Sequence, residues 1–178
     1  MNRLLFISAI AALLGSALVA QQRDPRAATT NSSLSSSDRT FVQDAAKGNQ
    51  DEVAWGQLAE QKTSNSQVKN LAQKVASDHM KAQQQLENLA SKQGVTVENY
   101  KPNTTSEYSK LSNMSGAEFD RNFAAQMVQD HQKAISMFEK ELKSTNDPEL
   151  KAWINDTLPA LRMHLTEAQT LERSLGKG

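Results

Sequence analysis

Between residues 38 and 175, apolar side chains recur at intervals of three and four, the period of a helix with one buried face. Phe41, Ala45, Gly48, Trp55 and Ala59 form the first stripe and predict a helix over 38–62. A polar turn at 63–66 follows, in which Ser64 and Gln67 have capping-box spacing. The second stripe, Val68, Leu71, Val75, Ala82, Leu86 and Leu89, predicts a helix ending near Gln93, with Gly94 just past its end. Ser115 and Glu118 repeat the capping-box spacing and open a third helix carrying Phe119, Phe123, Met127, Ala134, Phe138 and Leu142. Asp147-Pro148 reads as a cap followed by proline in the first turn. The fourth stripe is Leu150, Ile154, Leu158, Leu161, Leu165, Ala168 and Leu171; Pro159 falls inside it and frees the carbonyl of Asn155.

Residues 95–114 have no sustained period, although 106–111 could form one short helical turn. At about 3.3 Å per residue this segment can cross the whole length of a bundle. The pattern is all-α: two helical hairpins joined by a long connection, expected as a ferritin-like four-helix bundle, with up-down-up-down order as the alternative.

The chain begins differently. Met1-Asn2-Arg3 is a short basic start, Leu4–Leu14 an apolar run, and Gly15–Ala20 a stretch of small residues. This is the pattern of a secretory signal peptide over 1–20, cut after Ala20, with Ala17 as the alternative. Residues 21–37 are rich in Gln, Ser, Thr and Asn and are expected as a disordered spacer before the bundle domain at 38–175. After cleavage no transmembrane span is expected, and the compartment is periplasmic or secreted.

Composition narrows the chemistry. With 20 basic and 20 acidic residues, no pull toward nucleic acid is written into the chain. The absence of cysteine excludes disulfides, thiolate nucleophiles and cysteine-based zinc sites. No Ser-His-Asp order or glycine-rich phosphate loop is present, and no catalytic residue is assigned. The methionines are scattered and read as packing, and both tryptophans as core anchors.

The chain has three histidines, and two of them occur in one repeated phrase, D-H-x-K-A, at Asp78–Ala82 and Asp130–Ala134. His79, His131 and His164 all fall on apolar stripes, as does Glu52 on the first helix. Each of the four helices therefore turns one metal-capable side chain inward, near its middle, so either topology can gather them in one layer. Three imidazoles and a carboxylate suit a divalent transition metal, Zn, Cu or mononuclear Fe. They do not suit a di-iron centre, which needs Glu-x-x-His pairs in two helices. Asp78 and Asp130 flank the stripes. Neighbours on a helix point about 100° apart, so each aspartate is expected to hold a histidine of an adjacent helix from behind.

In order along the chain, F-V-x-x-A-A-x-G-x-x-x-E at Phe41–Glu52, Asp78-His79, Phe119-Asp120, His131 and L-P-x-L-x-x-H at Leu158–His164 resemble the bacterial family called Domain of Unknown Function 4142. The resemblance spans about 38–175 and implies a ferritin-like bundle behind a signal peptide, often described as periplasmic or outer-membrane associated. Its motif positions here are Glu52, Asp78, His79, His131 and His164. It brings no activity with it. Two readings follow: a metal-binding bundle, and a structural or partner-binding envelope-stress protein whose Asp/His/Glu layer only fixes helix register. Oxidative catalysis at the metal is the weaker third, since inward carboxylates are few.

Overall fold

Ser35 starts the helical part of the chain. In the computed structural model, which describes residues 34–176, its hydroxyl accepts from the Asp38 N–H and the Asp38 carboxylate accepts from the Ser35 N–H. This capping box begins α1 (Ser36–Lys62) two residues before the expected start. Leu34, assigned above to the spacer, is buried with Phe41 and Val42. The expected signal peptide, its cleavage at Ala20 and the rest of the spacer before residue 34 lie outside the described residues.

The remaining helices follow the apolar pattern, with different caps in two places. α2 (Ser66–Lys92) is capped by Asn65, whose side chain accepts from the Gln67 and Val68 N–H groups, and not by Ser64. It ends where glycine is needed. Gly94 has φ 67°, Val95 N–H bonds the Ala90 carbonyl at 2.8 Å, and Gly94 N–H bonds that of Ser91 at 3.0 Å, a Schellman closure. A single 3-10 turn (Pro102–Thr104) and α3 (Ser106–Ser112) lie within the long connection. α4 (Gly116–Ser144) begins after Ser115, but the Ser115 hydroxyl makes no capping bond. Gly116, at φ 55°, supplies a glycine turn instead. α5 (Pro148–Leu175) starts as expected, with Asp147 accepting from the Leu150 N–H at 2.8 Å. It contains Pro159 on its exposed face, where Asn155 is also exposed and its freed carbonyl can meet solvent.

α1 pairs with α2 and α4 with α5; across these hairpins, α1 lies beside α4 and α2 beside α5. The connection runs along α1 from beginning to end. Gln43 bonds the backbone of Thr96 and Glu98, Gln50 accepts from Tyr100 N–H at 3.2 Å, and Lys47 sits over the Tyr100 ring. At the far end Lys62 donates to the Met114 carbonyl, and Thr63 Oγ1 donates to buried Asp120 at 2.6 Å. α4 therefore starts beside the end of α1 and runs antiparallel to it. Among the described residues no helix is long and apolar enough to cross a membrane.

The core is two clusters. One holds Phe41, Leu86, Phe138, Trp153 and Ile154; the other holds Trp55, Leu71, Phe119, Phe123 and Met127. Between them in chain position, on all four long helices, come the buried polar residues Asn49, Glu52, His79, His131 and His164. A second buried polar pair, Asp38 of α1 and Glu141 of α4, lies toward one end of the bundle. Burial raises the Glu141 carboxyl above its usual range, while at Asp38 burial is outweighed by the groups around it, the Ser35 N–H among them, and its carboxyl lies below the usual range.

The two hairpin helices α1 and α2 meet at Gly56. A Cβ there would lie 2.7 Å from the Ala72 carbonyl oxygen and 2.8 Å from the Ala76 Cβ, whereas one at Gly48 would meet nothing within 4 Å. Both glycines are helical, so propensity alone favours alanine at each. Gly48→Ala is expected to stabilise the protein by about 0.5–1 kcal/mol. Gly56→Ala is expected to destabilise it by about 1–3 kcal/mol, because backbone must move to admit the methyl. Denaturant unfolding of the two variants checks this, and equal responses would show that α1 and α2 are not in close contact at Gly56.

Candidate metal centre

His79 of α2, His131 of α4 and His164 of α5 converge between the two apolar clusters, all buried. Each offers one ring nitrogen to a group in which these nitrogens lie within 4.8 Å of one another. The helices bring them together because each histidine occupies an apolar-stripe position near mid-helix. The ring centroids are 5.2–5.6 Å apart.

What those nitrogens carry follows from what the opposite nitrogens touch. His131 Nδ1 lies 2.9 Å from the Met127 carbonyl, which can only accept, so Nδ1 bears the hydrogen and Nε2 a lone pair. His164 Nε2 is 2.9 Å from Asp78 Oδ2 and donates to that carboxylate, leaving its lone pair on Nδ1. His79 Nδ1 is 2.9 Å from Asn49 Oδ1 and donates to it, leaving the lone pair on Nε2. Asn49 is itself oriented by donating to Gln83. Three different outer partners thus select the three inward lone pairs.

The lone pairs of His131 Nε2 and His164 Nδ1 face each other at 3.2 Å. That contact repels unless a proton or a cation lies between them. His79 Nε2 is buried with no hydrogen-bond partner. Protonation is opposed at all three sites. Burial first, and then the neighbouring imidazoles, push His79 well below its usual value; burial and His164 bring His131 down to about 4. Burial also lowers His164, although Asp78 works against it. At neutral pH the trio is therefore uncharged, with its lone pairs free. A separation of 3.2 Å is close to the roughly 3.3 Å edge of a tetrahedron whose metal–nitrogen bonds are about 2.0 Å. These residues fit a transition-metal ion.

Two expected site residues lie elsewhere. Glu52 is buried, but it does not join the convergent group: its Oε1 lies 3.7 Å from His131 Nδ1, the nitrogen on the far side of that ring. Burial, then Asp130 and Asp51, hold its carboxyl well above the usual range, and Oε2 has no partner. Asp78 takes the expected role toward His164. Asp130 does not hold a histidine. It accepts from Gln126 at 2.6 Å and pairs with Lys133. The reason is topological: Asp130 faces the cleft between α4 and α1, and α1 carries no histidine. The supporting residue that the sequence reading missed is Asn49. Its signal was available, because Asn49 follows Ala45 by four on the first apolar stripe. The Met127 carbonyl is backbone and has no side-chain signal. Met80 and Met163, expected as packing, are exposed.

Comparison with known proteins agrees with this fold. The model of the family described as Domain of unknown function (DUF4142) matches residues 23–171. Among curated proteins none matches the chain. Among solved structures, a DUF305 fragment from Deinococcus radiodurans is similar with a TM-score of 0.68 at 19% identity, over 81% of this chain and 98% of that one. CopM in its Cu(I)-bound form is similar with a TM-score of 0.67 at 19% identity, over 76% and 95% of the two chains. The Cu(II)-bound form of CopM gives 0.63 at 17% identity, again over 76% and 95%. At these identities the likeness concerns the fold.

The depressed histidines have a consequence for the metal-free protein. A histidine whose folded value lies below its unfolded value of about 6.5 adds stability that is complete above that pH and is lost as pH falls through the folded value. His131 is therefore expected to remain neutral down to about 4 and to destabilise the fold as it charges. Imidazole proton shifts followed by NMR across this range check it. A His131 midpoint near the ordinary value would show that the ring is solvated and not held as described.

Proposed function

The chain belongs to the family described as Domain of unknown function (DUF4142), and we propose that in this member the buried histidine layer is a binding site for one transition-metal ion. His79 Nε2, His131 Nε2 and His164 Nδ1 would be the ligands, with Asn49, the Met127 carbonyl and Asp78 fixing their tautomers. The observation that carries this reading is the convergence of three uncharged, tautomer-fixed lone pairs, one of them without any partner. A layer that served helix register alone would be expected to close its hydrogen bonds internally. This one leaves His79 Nε2 orphaned and sets two lone pairs face to face.

Copper is the first candidate. Imidazole donors suit copper and zinc alike, and the solved structures that share this fold include CopM with Cu(I), Cu(II) and Ag bound. Glu52 lies behind His131 in this reading, as a buried carboxyl at the margin of the site, and Asp130 belongs to the rim of the α1/α4 cleft. We take the arrangement of helices as ferritin-like, supported by the connection along α1 and by the α1/α4 and α2/α5 neighbours. The N-terminal pattern supports a periplasmic or secreted home, in which the protein would buffer, carry or sense the metal.

Competition titration of the mature protein with Cu(II), Cu(I) and Zn(II) tests the site. One ion per chain is expected, with binding abolished in His79→Ala/His131→Ala/His164→Ala. Asp78→Ala should weaken it by about 10–100-fold, because His164 loses the group that orients it. Undiminished binding by the triple variant, or no binding by the wild type, contradicts the proposal. The register-only reading predicts instead that a chelator leaves the melting temperature unchanged.

A further inference from the structure

A cavity of about 210 Å³ lies between α1 and α4, beside the histidine layer, bounded by Gly48, Glu52, Trp55, His79, His131 and Phe138. A water's share of liquid volume is about 30 Å³, so the space exceeds what one water fills. Four of the residues around it carry buried polar atoms without a hydrogen-bond partner: Asp51 Oδ1, Glu52 Oε2, Trp55 Nε1 and His79 Nε2. The other tryptophan shows what a buried indole ordinarily does here, since Trp153 Nε1 donates to the Ala82 carbonyl at 3.3 Å. Trp55 lies one turn from Glu52 on α1, and its N–H has no such acceptor.

Gly48 keeps this space open. Unlike Gly56, it is not needed for close helix approach, since a Cβ at Gly48 would meet nothing within 4 Å. A glycine inside a helix lowers its stability without a compensating contact, and at Gly48 it removes the side chain that would fill the cavity. His79 also borders a second opening, between α2 and α5, lined by Asp78, Asp156, Lys81 and His164. The histidine layer thus has a polar approach on one side and a mainly apolar chamber with unpaired polar atoms on the other.

We propose that the α1/α4 cavity seats a small exogenous ligand that bonds the metal held by the histidines and accepts a hydrogen bond from Trp55 Nε1. The inference rests on the metal-binding reading above. An indole N–H can only donate, so the occupant must carry an acceptor atom. Phe138, Leu161 and Met137 in the wall favour a compact body of low charge, and the cations at the cleft are already engaged, Lys133 with Asp130 and Lys47 with Asp51, so that none is left over for a multiply charged anion. The ligand class is therefore a small monoanion or a neutral oxygen or nitrogen donor of a few heavy atoms. Three protein nitrogens leave a metal site open to such a molecule, as in centres that keep an exchangeable position.

The test uses the full mature chain loaded with Cu(II) and titrated with azide, a small monoanion whose bond to Cu(II) produces a charge-transfer absorption band. A saturable band is expected. Gly48→Leu, which fills the cavity without replacing a metal ligand, should bind copper as the wild type does and lose azide affinity by roughly tenfold or more. Trp55→Phe keeps an aromatic ring and removes the donor, and should weaken azide by roughly three- to tenfold. Copper uptake with no azide band overturns the cavity proposal alone, as do equal azide affinities in wild type, Gly48→Leu and Trp55→Phe. Failure of the wild type to take up copper overturns the metal reading and this proposal with it.

Discussion

An imidazole buried at neutral pH has one N–H and one lone pair, and the bond made by the first decides where the second points. In this protein that constraint is met three times in one layer. A backbone carbonyl, a carboxylate and a side-chain amide each take one N–H, so that three lone pairs meet among four helices. The surrounding core is divided to suit. Apolar clusters occupy both ends of the bundle, and the polar layer lies between them, where burial suppresses protonation and keeps the nitrogens available to a cation.

The outer partners also tie helices together. Asn49 to His79 links α1 to α2, and Asp78 to His164 links α2 to α5. The same layer that prepares the site therefore fixes relative helix height. The sides of the bundle are not equivalent. α1 meets α2 closely through Gly56, while the α1/α4 side opens at Gly48 into the chamber beside His79 and His131. That asymmetry separates a scaffold contact from a space that a small molecule can occupy.

Much of this was written in the chain. The four stripes located the long helices, and the inward positions of His79, His131 and His164 were readable from three- and four-residue spacing. So was the logic of Asp78, because an aspartate next to a histidine must serve another helix. The same logic misled for Asp130, since which helix adjoins a given flank depends on the topology, and spacing alone does not set it. Glu52 was correctly placed inward, yet periodicity cannot say which side of a neighbouring ring a carboxylate will meet. Caps were the least certain local feature: Asn65 and Ser64 both favour that position, and the choice depends on how tightly the hairpin closes. The long connection had no periodicity to read, and its course along α1 rests on scattered contacts from Gln43, Gln50 and Lys62.

The most direct measurement of the account is anomalous diffraction at the metal edge from crystals of the copper-loaded protein. The account predicts one peak within bonding distance of His79 Nε2, His131 Nε2 and His164 Nδ1, with Glu52 and Asp78 uncoordinated and Asp78 still bonded to His164 Nε2. A peak bound through His131 Nδ1, or seated on the carboxylates of Asp51 and Asp130 away from the histidines, would contradict it.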